Sequence, residues 1–313
     1  MARARPSQAQ PAGDGIAPTL AELLSLKSLA GARRTPRSGR HGIAGPALSP
    51  LRGRGMDYAE SREYVAGDDA RHIDWKLTAR TGRAHTKMFQ AERERLTLIV
   101  GDTAPALYFG TRVRFKSVQA ARAGAIAAWV AARDGDRIAA LRGSLHEPPV
   151  PPAAGTRGVL RTLDALVRWY ARPPSDDGGL GMALDHAQRL LRPGSRLIVL
   201  ADAGSVADTP AQRWPVLAQH HEVILLMLVD PLEVSPPKAL LPLADGAGEG
   251  ASRLELDLGT QRVRARWREC FGAPVATALA QLPARGVRVA ALSTNDGSDA
   301  WLPLLGLPWH QVA

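Results

Sequence analysis

The chain is 313 residues long, 45% hydrophobic and 22% charged, which suits one large domain with a smaller module, or two domains. Its single cysteine, Cys270, excludes any intrachain disulfide and fits a reducing compartment. No apolar run approaches the roughly 20 residues of a membrane-spanning helix, and Glu22 and Lys27 interrupt any signal-peptide core, so a cytoplasmic protein with no transmembrane segment is expected.

Residues 1–17 are rich in Pro, Gly, Ala and Gln and read as a disordered tail. Thr19 followed by Glu22 is a capping-box pattern, and it opens a short helix with Leu20, Leu23 and Leu24 on one face. Residues 31–50 have a linker composition of Arg, Gly, Ser and Pro, so 1–50 is read as a flexible N-terminal segment carrying one helix. Stretches 56–64, 73–80 and 84–90 then read as strands, the last two joined by the short turn 81–83. Residues 51–95 are thus predicted to form a small antiparallel β module.

From residue 96 the rhythm becomes strand, helix, strand. Strands are predicted at 96–101, 137–141, 196–201, 223–229 and 287–292, with a short edge strand at 145–150. Helices are predicted at 113–133, 157–171, 180–191, 261–270 and 275–284, and residues 242–252 read as a Gly-rich loop. The runs at 197–200 and 223–229 are apolar throughout, as strands buried on both faces must be. The expectation is an α/β fold over 96–313, built on a doubly wound, mostly parallel sheet.

The net charge of +10 raises the question of an anionic partner. Residues 1–100 hold 17 Lys and Arg against 10 Asp and Glu, and much of the excess is in Arg33, Arg34, Arg37 and Arg40. A solvated basic linker explains this. The competing reading is a nucleic-acid or membrane binder using the stretch from Arg33 to Arg54.

In open α/β sheets ligands bind beyond the carboxyl ends of strands, where the strand order reverses. Asp102, Asp202 and Asp230 occupy such ends. If strands 96–101 and 196–201 are neighbours, Asp102 and Asp202 face one crevice and suggest a hard cation such as Mg²⁺. The alternative is that each aspartate caps the helix after it.

Arg54-Gly55-Met56-Asp57-Tyr58, Arg62-Glu63-Tyr64, Gly67-Asp68-Asp69, Arg71, Ile73-Asp74-Trp75-Lys76, Ala79-Arg80, Lys87 and Glu92 together resemble the signature of the bacterial domain of unknown function 58 family. The resemblance implies a von Willebrand factor A-like domain after the signature, with a metal-ion-dependent adhesion site of two aspartates, two serines and a threonine. Asp102 and Asp202 match the aspartates. Ala104 and Ala106 stand in the serine positions, and the loop at 177–181 has no threonine, so the site is degenerate and Thr103 or Ser205 would have to substitute. No cofactor is expected, Mg²⁺ being the alternative. The resemblance also implies a protein partner, a MoxR-type AAA+ ATPase, beside which the chain would act as a non-enzymatic adaptor.

Within the signature, Arg62, Asp68, Asp69, Arg71, Asp74, Trp75 and Arg80 admit two readings. One is a structural clasp of ion pairs around an inward-packed tryptophan. The other is a recognition surface, since Trp and Arg are common interface anchors. His72 and Asp74 would share a strand face, which admits a metal-dependent hydrolase. Nothing supplies a nucleophile elbow, zinc-ligand spacing or phosphate-binding loop, so an enzyme is not expected.

Overall fold

Helix α1 (Leu20–Ser25) begins at Thr19, whose Oγ1 accepts a hydrogen bond from the Glu22 N–H. The computed structural model describes residues 13–31, 56–91, 95–245 and 252–306. The Glu22 carboxylate does not fold back on the cap; it pairs with the buried Arg122 guanidinium. A 3₁₀ turn (Leu26–Ala30) follows, and Leu23 and Leu26 are fully buried in the main core. The sequence reading set this helix in a flexible segment. Two fully buried leucines, each contributing about 1.5–3 kcal/mol relative to exposure, make it part of the larger unit instead. Residues 1–12 and 32–55, to which the tail and linker expectations apply, lie outside the described residues.

The described residues form two units: 13–31 with 95–306, and 56–91. In the smaller one, β1 (Met56–Glu63) pairs antiparallel with β2 (His85–Ala91). The strand predicted at 73–80 is instead helix α2 (Trp75–Thr81). Asp74 caps it by accepting from the Leu77 N–H at 3.1 Å. Gly82, in the left-handed region at φ +70°, ends it with its N–H on the Thr78 carbonyl. So residues 81–83 are a helix terminus, not a hairpin turn. Ile73 and Leu77 fit helical spacing as well as alternation, and local capping decided between them.

The larger unit opens with β3 (Leu96–Gly101), α3 (Lys116–Asp134) and β4 (Arg137–Arg142). The edge strand β5 (Val150–Ala154) is antiparallel to β4 and lies later in the chain than the predicted 145–150. It contains Pro151 and Pro152, which an edge tolerates because a missing N–H there forfeits little of the ladder. Helices α4 (Gly155–Tyr170) and α5 (Gly179–Leu190) lead to β6 (Arg196–Asp202), α6 (Ala203–Asp208), α7 (Arg213–His220) and β7 (Glu222–Val229). After α8 (Pro231–Val234), residues 242–245 and 252 of the predicted Gly-rich loop belong instead to an antiparallel pair, β8 (Leu240–Asp245) with β9 (Ser252–Asp257). Helices α9 (Gln261–Trp267) and α10 (Ala273–Gln281), joined by a π-helical segment (Arg268–Gly272), precede β10 (Val287–Ser293).

The sheet order is β10-β7-β6-β3-β4-β5, parallel except for β5. Successive side chains alternate between its faces. Ile99, Ile198 and Ile224 face a layer of α1, α3 and α4, while Leu98, Val199 and Leu225 face α5, α6, α7 and α10. This is the doubly wound, mostly parallel fold expected. Helix α3 is buried along almost its whole length and is rich in alanine. At Gly124 an added Cβ would lie 3.0 Å from both Leu166 and Leu200, so glycine permits the close approach of α3 to its neighbours. At the amino ends of the strands, half-buried Arg95 and buried Arg196 and Arg288 interlock with Asp134, Asp136 and Glu222. The carboxyl ends are left for the candidate site.

Candidate functional site

The chain runs from β3 outward to β4 and β5, then returns to the other side of β3 as β6. Loops leaving β3 and β6 therefore diverge and open a crevice at the carboxyl ends. Gly101 lies beside Leu200 in the parallel register, which brings Asp102 and Asp202 together. The Asp202 N–H donates to Asp102 Oδ2 at 3.0 Å. Asp102 is buried, its Oδ1 accepts from the Ala104 N–H at 3.1 Å, and the Ser205 hydroxyl bonds it as well. Burial pushes the Asp102 carboxyl above its ordinary range; the bonds from Ser205 and the two backbone N–H groups oppose the rise, and neighbouring Asp177 adds to it.

Asp202 caps α6, Oδ1 accepting from the Gly204 N–H at 2.8 Å. Its Oδ2 meets the buried ammonium of Lys116 at 2.6 Å, and the same Nζ lies 2.6 Å from Glu233 Oε1. Burial alone would lower the Lys116 pKa, but the Glu233 and Asp202 charges and hydrogen bonds outweigh it and hold the ammonium above its ordinary value. Glu233 also closes a capping box, Oε2 accepting from the Asp230 N–H at 2.9 Å. The third strand-end aspartate, Asp230, accepts from the Thr111 and Thr294 hydroxyls at 2.6 and 2.9 Å and from the Thr111 and Leu232 N–H groups. On the other flank, the Thr103 hydroxyl donates to Asp177 Oδ1 at 2.8 Å.

These contacts decide how well the crevice suits the metal that the resemblance implies. Ala104 and Ala106 carry no side-chain oxygen. Both Asp102 oxygens accept from backbone N–H groups, and Asp202 divides its oxygens between an N–H and the Lys116 ammonium. Thr103 and Ser205, the proposed substitutes, are committed to Asp177 and Asp102. Mg²⁺ needs a nearly ideal octahedron of oxygens. The residues do not fit it.

Sequence reasoning missed Lys116 and Glu233. A signal for the first was present: a lysine in the first turn of an alanine-rich helix opposes the helix dipole and calls for a carboxylate partner. The second sits three residues after Asp230, at capping-box spacing.

In the smaller unit the structure divides the predicted cluster. Arg62 pairs with Asp68 at 2.6 Å, and Asp68 also accepts from the Val65 N–H. Asp69 accepts from the Arg71 N–H, with the exposed Arg71 guanidinium 3.9 Å away. Asp74 accepts from Leu77 N–H and Ser61 Oγ, and the Leu77 bond holds its carboxyl below the ordinary range. Trp75 is 70% exposed and Arg80 is exposed in the last turn of α2. Arg62 and Asp68 thus form a close ion pair, and Trp75, mostly exposed, does not pack inward. His72 lies in a 3₁₀ turn and Asp74 at a helix cap, so the shared strand face expected for a hydrolase does not form.

Comparison with known proteins adds to this geometry. The chain is 30% identical over 197 residues to uncharacterized proteins of Mycobacterium bovis and Mycobacterium tuberculosis, a stretch covering 62% of this chain and 62% of each relative. The family described as Protein of unknown function DUF58 matches residues 60–273, which takes in α2, the Asp102–Asp202 crevice and Lys116. The match extends over more than half of the chain, and the chain belongs to the DUF58 family.

Proposed function

We propose that this chain is a non-enzymatic protein-interaction scaffold or adaptor that works beside a MoxR-type AAA+ ATPase in the assembly or maturation of client proteins. The observation that carries the reading is Trp75. A tryptophan 70% exposed on a capped helix, beside Lys76 and with Arg71 and Arg80 also exposed, offers the residue types that dominate interface energetics. The Asp102–Asp202 crevice supports it from the other side. Its carboxylates are engaged by the chain's own donors, which suits a fixed framework better than a reaction centre. No described residue favours the hydrolase reading, and the basic stretch from Arg33 to Arg54 lies outside the described residues.

The test is binding of the full chain to the purified MoxR-type ATPase of its native organism, followed by interferometry at physiological salt. Saturable binding is expected, weakened about tenfold or more by Trp75→Ala, as truncating a hot-spot aromatic does. Absence of binding to the ATPase would remove the named partner. Undiminished binding by a folded Trp75→Ala variant would remove α2 from the interface.

A further inference from the structure

We propose that the outer face of α2 takes an acidic helical segment of the protein partner, with an apolar side chain on the Trp75 indole and two carboxylates on Lys76 and Arg80. This rests on the partner-binding reading and names the chemistry of what is bound.

Over residues 61–87 the smaller unit holds six Lys and Arg against four Asp and Glu. Each acid is already engaged. Asp68 pairs with Arg62 at 2.6 Å and Glu63 with Arg83 at 2.9 Å. Asp69 accepts from the Arg71 N–H, with that guanidinium 3.9 Å away. Asp74 caps α2, accepts from Ser61 Oγ and lies within electrostatic reach of Lys87. The two cations left over are Lys76 and Arg80. Both are exposed, and among the described residues no hydrogen bond or ion pair engages either side chain.

A free surface cation is ordinary by itself, since water satisfies it. The placement of these two gives them meaning. Helical side chains four apart sit one above the other, about 5–6 Å between Cβ atoms. Lys76 and Arg80 therefore form one row of α2, and Trp75 with exposed Ala79 forms the row beside it. No acidic residue falls within α2. A partner helix with carboxylates four residues apart presents them at the same spacing. An apolar row beside them meets the indole, whose burial supplies the larger part of the affinity. Charge complementarity then sets register and association rate. A nucleic acid or an anionic membrane fits less well. A polyanion draws its affinity from many cations, and the two free ones here stand in a unit that also exposes the Glu63 and Asp69 carboxylates.

The probe is a short acetylated, amidated helical peptide with leucines in one row and glutamates four residues apart in the next. Its glutamine counterpart and a short DNA duplex are the comparisons. Titrated into the ¹⁵N-labelled full chain, the glutamate peptide is expected to give a saturable shift of the Trp75 indole N–H signal, identified by its loss in Trp75→Phe. Binding is expected to weaken about tenfold with the glutamine counterpart, and likewise in a Lys76→Gln, Arg80→Gln double variant. Both positions are exposed, so this variant keeps its fold. No saturable shift with the glutamate peptide, equal binding of the two peptides, or tighter binding of the duplex would overturn the proposal. The ATPase separates the two readings. If a Lys76→Glu, Arg80→Glu variant binds it as wild type does while Trp75→Ala does not, the acidic-segment inference fails and the scaffold reading stands. If the glutamate peptide binds as expected but the ATPase does not, the named partner is removed and the inference stands.

Discussion

Lys116 and Asp202 meet at 2.6 Å at the carboxyl end of the central sheet, an ion pair between the first residue of α3 and the last of β6. Glu233 completes the arrangement from the first turn of α8. Lys116→Met keeps the length of the side chain but leaves the buried Glu233 carboxylate and the half-buried Asp202 carboxylate without their shared cation. The expected loss is about 3–5 kcal/mol, as for breaking a buried pair from one side. Urea unfolding measures it, and a loss below about 1 kcal/mol would mean that the crevice rearranges to admit water.

Because the crevice is satisfied by protein donors, millimolar Mg²⁺ or Mn²⁺ is expected to leave the melting temperature essentially unchanged. A ligand at a hundred times its Kd would stabilise by about 2.7 kcal/mol, readily visible in thermal unfolding. A clear upward shift that Asp102→Ala abolishes is the outcome that contradicts this.

Trp75→Ala distinguishes a binding residue from a packing residue through stability alone. At 70% exposure it is expected to change unfolding free energy by no more than about 0.5 kcal/mol. A loss of about 3–5 kcal/mol, typical of a buried aromatic, would return Trp75 to a structural role.

Glu147 gives the fold a defined acid sensitivity. Burial works to raise its pKa, but the bonds from Trp169, Arg168 and Arg142 prevail and hold it below 4.5. A carboxyl with a depressed folded-state pKa binds fewer protons than in the unfolded chain. Its stabilisation is complete above about pH 4.5 and is lost as pH falls through the lower folded value. Glu147→Gln is therefore expected to cost about 2 kcal/mol at neutral pH, on the scale of charged hydrogen bonds. The same variant should flatten the fall in stability below pH 4.5. An unchanged acid limb in a stability–pH series would show that the Glu147 contacts do not persist in solution.

The strand–helix rhythm from residue 96, the apolar runs of β6 and β7, and the aspartates at strand ends were all legible in the sequence, because burial on both faces and loop chemistry leave local marks. The capping threonine of α1 was legible for the same reason. Local pattern was ambiguous at 73–80, where alternation and helical spacing coincide, and a cap at Asp74 with a left-handed Gly82 settled the matter. What no local pattern carries is the meeting of residues distant in the chain. Lys116 reaches Asp202 and Glu233 across 86 and 117 positions, and Arg142 meets Asp176 across 34, only because the chain crosses back over β3 and brings separate loops to one edge. A buried charge must find its counter-ion in space, and tertiary structure alone decides which one it finds.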